Sequence, residues 1–211
     1  MKKEIILIGS GGHCKSCIDV IEQENKFKII GIIDLKEKIN QKILDYEIIA
    51  SDDDLSNLVK KYEYFFITIG QLKNPKPRIQ KFEIIKKLGA KFPIIISPLA
   101  YVSKYSFIDE GSIIMHSAII NANVKIGKNC IINTKSLIEH DSNIGNNCHI
   151  STNSIINGTC NIGSNVFIGS NSVILNNINI TDNVIIGAGT IVNKPIKEIG
   201  VYVGNPVKKI R

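Results

Sequence analysis

Residues 133–145 read NTKSLIEHDSNIG, and within them His140 is followed directly by a carboxylate, Asp141. An imidazole titrates near neutral pH and can take a proton from an attacking amine or hydroxyl. A neighbouring carboxylate can fix its tautomer and stabilise the imidazolium, provided the two side chains meet, which adjacency alone does not establish. Acyl transfer needs such a base together with a donor for the developing oxyanion. A second chemical signal lies near the start, where Gly9-Ser10-Gly11-Gly12-His13 follows a short apolar run. Turn amides at a helix start can cradle a phosphate, and Asp34, at the end of the next apolar run, is placed for a sugar or base hydroxyl. Gly9 and Gly11 fit a G-x-G-x-x-G pattern, but its third glycine position is Cys14, which speaks against a dehydrogenase. Cys14 and Cys17 fit the C-x-x-C spacing of a redox pair. With no second pair and no histidine-rich tract nearby, the competing reading is small packing residues.

The bulk numbers bound what these groups can serve. A chain of 211 residues holds one large or two small domains. Hydrophobic content of 44% with 21% charged residues is ordinary for a globular protein. The net charge of +7 gathers at the two ends, because residues 99–192 hold only 4 Lys and Arg against 5 Asp and Glu. Nucleic-acid binding would call for a continuous basic face with interleaved aromatics, whereas separate basic ends suit a phosphorylated small ligand. The run Ile5–Ile8 is too short for a signal core or a membrane span. The five cysteines form an odd set without an export signal, which argues against a disulfide framework. The expectation is a cytoplasmic protein with no membrane association, no nucleic-acid partner and no metal.

The elements that position His140 follow a strict period. From Val102 to Val192 one position recurs every six residues, and all sixteen occurrences are Ile or Val. Two positions earlier the residue is usually small, and Gly often follows the aliphatic one, as at Gly127, Gly145, Gly163, Gly169 and Gly187. Six does not fit a helical period, but it suits short strands joined by tight turns and marks a parallel β-helix. Three hexads make one triangular coil, giving about five coils with equivalent positions 18 residues apart. Gly or Asn is expected in the strained turn conformation. Cys130, Cys148 and Cys160 fall in the small slot and read as structural.

Before residue 99 strands alternate with helices. Strands are expected at 4–8, 27–33 and 64–68, and helices from the glycine turn to about Glu24 and over 79–88. This pattern predicts a small Rossmann-like parallel sheet in residues 1–98, followed by the β-helix and a short basic tail in 99–211.

The combination resembles the sugar acyltransferases grouped around sialic acid O-acetyltransferases and bacillosamine-type N-acetyltransferases. The resemblance rests on GSGGH, Ser97-Pro98 with Ala100, NTKSLIEHD, HISTN, INGTCNIG and the closing GVYVGNP, and covers nearly the whole chain. It implies a left-handed β-helix, acetyl-CoA as donor, and a homotrimer with active sites between neighbouring solenoids. By motif, His140 would be the general base and Asp141 its orienting carboxylate. Asn133, His149, Gly158, Gly187 and Lys208 would face acetyl-CoA, with the Gly158 N–H offered to the thioester carbonyl. Ser10, Gly11, Gly12, His13, Asp34 and Gly70 would hold the sugar. His116 shares the repeat phase of His140 without an acidic neighbour and reads as structural or interfacial. Two acceptors compete: a nucleotide-linked 4-amino-4,6-dideoxy sugar, suggested by His13, and a sialic-type nine-carbon acid. A non-catalytic solenoid partner of a sialic acid synthesis enzyme is the alternative from another class.

Overall fold

The structure, a computed structural model, describes residues 2–71 and 74–211. The chain divides into two compact units, Met1–Ile95 and Ile96–Arg211.

In the first unit β1 (Lys3–Ile8) runs through the glycine turn into α1 (Gly12–Glu24) and on to β2 (Phe27–Ile33). Then come β3 (Lys42–Ile43), β4 (Tyr46–Ala50), α2 (Leu55–Lys61), β5 (Tyr64–Ile67) and α3 (Lys76–Lys87). The sheet order is β3-β4-β2-β1-β5, with β1, β2, β4 and β5 parallel. The sheet is therefore mixed, because β3 joins β4 antiparallel as an edge hairpin. The central strands read as near-continuous apolar runs because both faces are covered, and Ile5, Ile6, Leu7 and Ile8 are all buried. Phe82 and Ile85 of α3 pack with Ile6, Ile33, Phe65 and Ile67 in one cluster.

The second unit is a left-handed parallel β-helix. Two-residue strands recur along it, each pairing in parallel with the strand 18 residues on, as Leu137–Ile138 does with Ile155–Ile156. They stack into three ladders, one per face of the triangular coil. The recurrent aliphatic points inward: Ile114, Ile120, Ile132, Ile138, Ile150 and Ile156 are all buried. The tail adds Gly200–Val203, parallel to Val184–Ile186, and Lys208–Lys209, antiparallel to it.

The corners correct one expectation. The left-handed backbone conformation recurs every six residues from Gly111 to Gly189, and the eleven positions from Asn123 to Asn183 are eight asparagines with Lys135, Asp141 and Thr159. Asn tolerates this region because its short polar side chain bonds locally. The glycines that follow the aliphatic residue are not in it. They are glycine because the next coil lies too close: a Cβ added at Gly145 would stand 2.7 Å from backbone atoms of Gly163 and Ser164.

Candidate functional site

His140 and Asp141 occupy the corner after Leu137–Ile138, and the stacking brings their side chains together. His140 Nδ1 lies 2.8 Å from Asp141 Oδ2, with about half of each side chain exposed. Asp141 takes the left-handed turn conformation (φ 61°), which folds its carboxylate back toward the imidazole. One coil earlier, Asn123 Nδ2 donates to Asp141 Oδ1 at 2.7 Å. Hydrogen bonds from Asn123 first, and from His140 second, lower the Asp141 pKa. An ionised carboxylate only accepts, so Nδ1 of His140 carries the proton and Nε2 presents its lone pair. Glu139 turns the other way and accepts from Asn121 Nδ2 at 2.8 Å.

One coil later Gly158 lies directly against the imidazole. A Cβ there would stand 2.8 Å from His140 Cε1 and 2.9 Å from Nε2. Gly158 is buried, and among the described residues its N–H has no hydrogen-bond acceptor, while the N–H of Thr159 bonds the His140 carbonyl at 2.9 Å. Buried backbone donors are nearly always paired, so an unpaired one beside a basic nitrogen marks room for an oxygen of a ligand.

The other expected donor-side residues sit elsewhere on the coil. His149 is buried on a strand of a different face, with Nε2 3.1 Å from Asn133 Nδ2 and its ring edge-on to Phe167. Gly187 donates its N–H to the Tyr202 carbonyl at 2.8 Å, and Val203 fills the space a side chain would need. Lys208 is exposed on the last short strand. His116 Nδ1 meets the buried Ser97 hydroxyl at 2.7 Å. A groove of about 990 Å³ runs along the face of Asn143, Asn161 and Asn179, whose amides form a ladder with 2.9 and 3.0 Å steps. The sequence reading did not single this groove out.

In the first unit a cavity of about 320 Å³ gathers Ser10, Gly11, Asp34 and Gly70, four of the six residues expected to hold a sugar. Gly12 and His13 do not line it. They open α1, and His13 Nε2 lies 3.3 Å from the Cys17 thiol. Asp34 Oδ2 accepts the Ser10 N–H at 2.5 Å, and Oδ1 accepts from Lys38 Nζ at 3.0 Å. Burial alone would raise its pKa, but the bonds from Ser10, Leu35 and Lys38 outweigh it and hold the carboxyl at about 2. Asp52 and Lys81, which form an ion pair on the rim, were missed. They converge only through the sheet topology, so no local spacing signals them.

Cys14 and Cys17 are both buried, and burial pushes the Cys14 thiol up to about 11 and Cys17 higher still. This disfavours the thiolate that redox exchange requires. Among the described residues no cluster of His, Cys, Asp and Glu suits a metal ion, and no helix is long and apolar enough to cross a membrane.

Comparison with known proteins fits this geometry. Residues 4–85 match the family model described as the PglD N-terminal domain, and residues 96–207 match that of the GMPPB C-terminal domain. No curated protein sequence matches the chain. Among solved structures, the perosamine N-acetyltransferase of Caulobacter crescentus, in complex with CoA and GDP-perosamine, superposes with a TM-score of 0.92 at 25% identity, covering 99% of this chain and 97% of that one. That enzyme is also known as a histidine-to-alanine variant with the same ligands. The acetyltransferase domain of PglB from Neisseria gonorrhoeae, with acetyl-CoA, gives a TM-score of 0.91 at 25% identity over all of both chains. WeeI from Acinetobacter baumannii gives 0.86 at 22% identity, over 99% of this chain and 100% of its own, and shares the fold. Through residues 96–207, more than half of its length, the chain belongs to the GMPPB C-terminal domain family, and with a PglD-type domain ahead of that β-helix it shares the whole architecture of these hexapeptide-repeat sugar acetyltransferases.

Proposed function

We propose that the protein transfers the acetyl group of acetyl-CoA to the amine of a nucleotide-linked 4-amino-4,6-dideoxy sugar, with His140 as general base. The observation that carries this reading is the corner itself: an imidazole bonded to Asp141 through Nδ1, packed against Gly158, with no partner among the described residues for its Nε2 or for the Gly158 N–H. The acceptor nitrogen attacks the thioester carbon as a neutral amine. Its proton passes to His140 Nε2 as the C–N bond forms, and Asp141 steadies the resulting imidazolium. The Gly158 N–H takes the developing oxyanion, and collapse of the tetrahedral species breaks the C–S bond and releases CoA as its thiolate. The imidazolium then returns its proton to that sulfur or to solvent.

The acidic-ended cavity of the first unit suits the nucleotide end of the acceptor, with Ser10 and Gly11 at the phosphates and Asp34 at a ribose hydroxyl. Neighbours that bind GDP-perosamine and acetyl-CoA support the pairing of substrates. We assign Asn133, His149, Gly187 and the basic tail at Lys208 to the acetyl-CoA side, and the assembly to a homotrimer whose solenoids pack face to face. The test is a mass-spectrometric screen of nucleotide amino sugars and sialic-type acids with acetyl-CoA. Acetylation of a nucleotide amino sugar is the expected result. Acetylation of a sialic-type acid instead would move the acceptor to a hydroxyl, and no transfer to any acceptor would leave a binding module.

A further inference from the structure

The strongest unassigned feature is the residue behind the catalytic pair. Asn123 and Asp141 are 18 residues apart, so they hold the same corner position on successive coils, both in the left-handed conformation (φ 60° and 61°). The Asn123 amide reaches Asp141 Oδ1 while Oδ2 faces the imidazole. We propose that Asn123 is a positioning residue, which acts on His140 through the Asp141 carboxylate and never meets the substrate.

A lone aspartate at an exposed corner can rotate about its side-chain torsions and share its two oxygens with water. A donor fixed on Oδ1 removes that freedom and leaves Oδ2 for Nδ1–H, the arrangement that selects the tautomer with a free Nε2. The equivalent asparagines on other corners bond one another, as Asn129 does to Asn147 and Asn153 to Asn171, and serve only the stack. Here the same ladder step ends on a carboxylate that is itself bound to an imidazole. The titratable groups of this corner are Glu139, His140 and Asp141. The coil before presents Asn121, Ala122 and Asn123 and the coil after Asn157, Gly158 and Thr159, none of them titratable. A charge placed at residue 123 would therefore be felt by this pair with no ionised neighbour interposed.

The inference rests on His140 being the base, and the experiment separates the two. Asn123→Gly removes the donor without straining a left-handed position, and Asn123→Asp keeps the shape while adding a negative charge. With the acceptor found active, Asn123→Gly should lower kcat roughly 3- to 10-fold with both KM values within about twofold, well short of the roughly 10²–10⁴-fold lost with the base itself. The same change in an Asp141→Asn background should cost nothing further, because the carboxylate it positions is gone. Asn123→Asp should move the acidic limb of the kcat/KM profile to higher pH, since added negative charge raises the imidazole pKa. Equal losses in both backgrounds, or an unmoved limb in Asn123→Asp, would overturn the proposal and leave Asn123 as a structural rung. Full activity in His140→Ala would instead remove the reading on which it stands.

Discussion

Glycine serves opposite ends in the two units. In the β-helix the glycines after the aliphatic positions are filled space, since the next coil already occupies the volume a methyl would need, as at Gly145. At the head of α1, Gly11 and Gly12 face nothing within 4 Å, so their missing side chains leave room instead of using it. Gly158 combines the two cases: its absent Cβ is replaced by the imidazole of His140. A solenoid spends glycine on bringing coils together, the turn before α1 spends it on leaving space at a helix start, and the proposed catalytic corner uses the first device to seat an imidazole.

The sharpest way to break this comparison is at the corner. His140→Ala should lower kcat by about 10²–10⁴-fold, the usual contribution of a general base, with CoA affinity nearly unchanged by calorimetry. Near wild-type turnover at neutral pH would return the corner to a plain turn. Gly158→Ala comes next. The methyl must push the ring aside by a large part of an ångström, and displacements of that size cost about 10²-fold. Steady-state kinetics should show the loss in kcat while the melting temperature stays close to that of the parent.

The sequence already carried most of this corner. The six-residue period fixed the phase of His140, and the 18-residue stack placed Gly158 over it. The same offset counted backwards reaches Asn123, so the signal for that residue was present and unused. The first unit was less legible. Its β3–β4 hairpin escaped notice because the turn runs through Leu44 at φ 52°, where a branched apolar residue gives no hint of a left-handed bend. Asp52 and Lys81 escaped for a different reason, since their meeting depends on which strand lies beside which. The turn glycines fell between: the repeat showed that they mattered, but only the stacked coils show that close approach, not positive φ, is the cause.

Two smaller effects sharpen the contrast. Gly145→Ala should destabilise by about 1–3 kcal/mol, because backbone atoms cannot move aside as a flexible side chain would. Gly11→Ala should leave stability within about 1 kcal/mol, as expected at a helix N-cap whose added methyl meets open space, and register instead as a higher KM for the acceptor. Paired thermal melts and kinetics on the two variants separate the cases, and a Gly11→Ala melt that fell as far as that of Gly145→Ala would erase the distinction. The last effect is set by pH. Asp34 is held at about 2 in the folded chain, against about 3.9 when unfolded. Its contribution is therefore fully present above about pH 4 and lost as pH falls through the folded value. Denaturant titrations should show Asp34→Asn less stable than the parent at pH 6, with the gap closing toward pH 2.

The register of the β-helix also has a consequence for how such a chain can change length. Each coil pairs only with the one before and the one after, always at an offset of 18. Losing one residue would turn every later side chain out of phase, and losing six would move each strand to a different face. Losing residues 161–178 would join Cys160 to Asn179, and every new neighbour would already have the right phase for its partner. Length in this unit is thus quantised. Whole coils can be cut out or duplicated beyond Gly158 while Asn123, His140 and Asp141 keep their present neighbours, so the solenoid can be lengthened or shortened as a cassette without rewriting the corner that carries its chemistry.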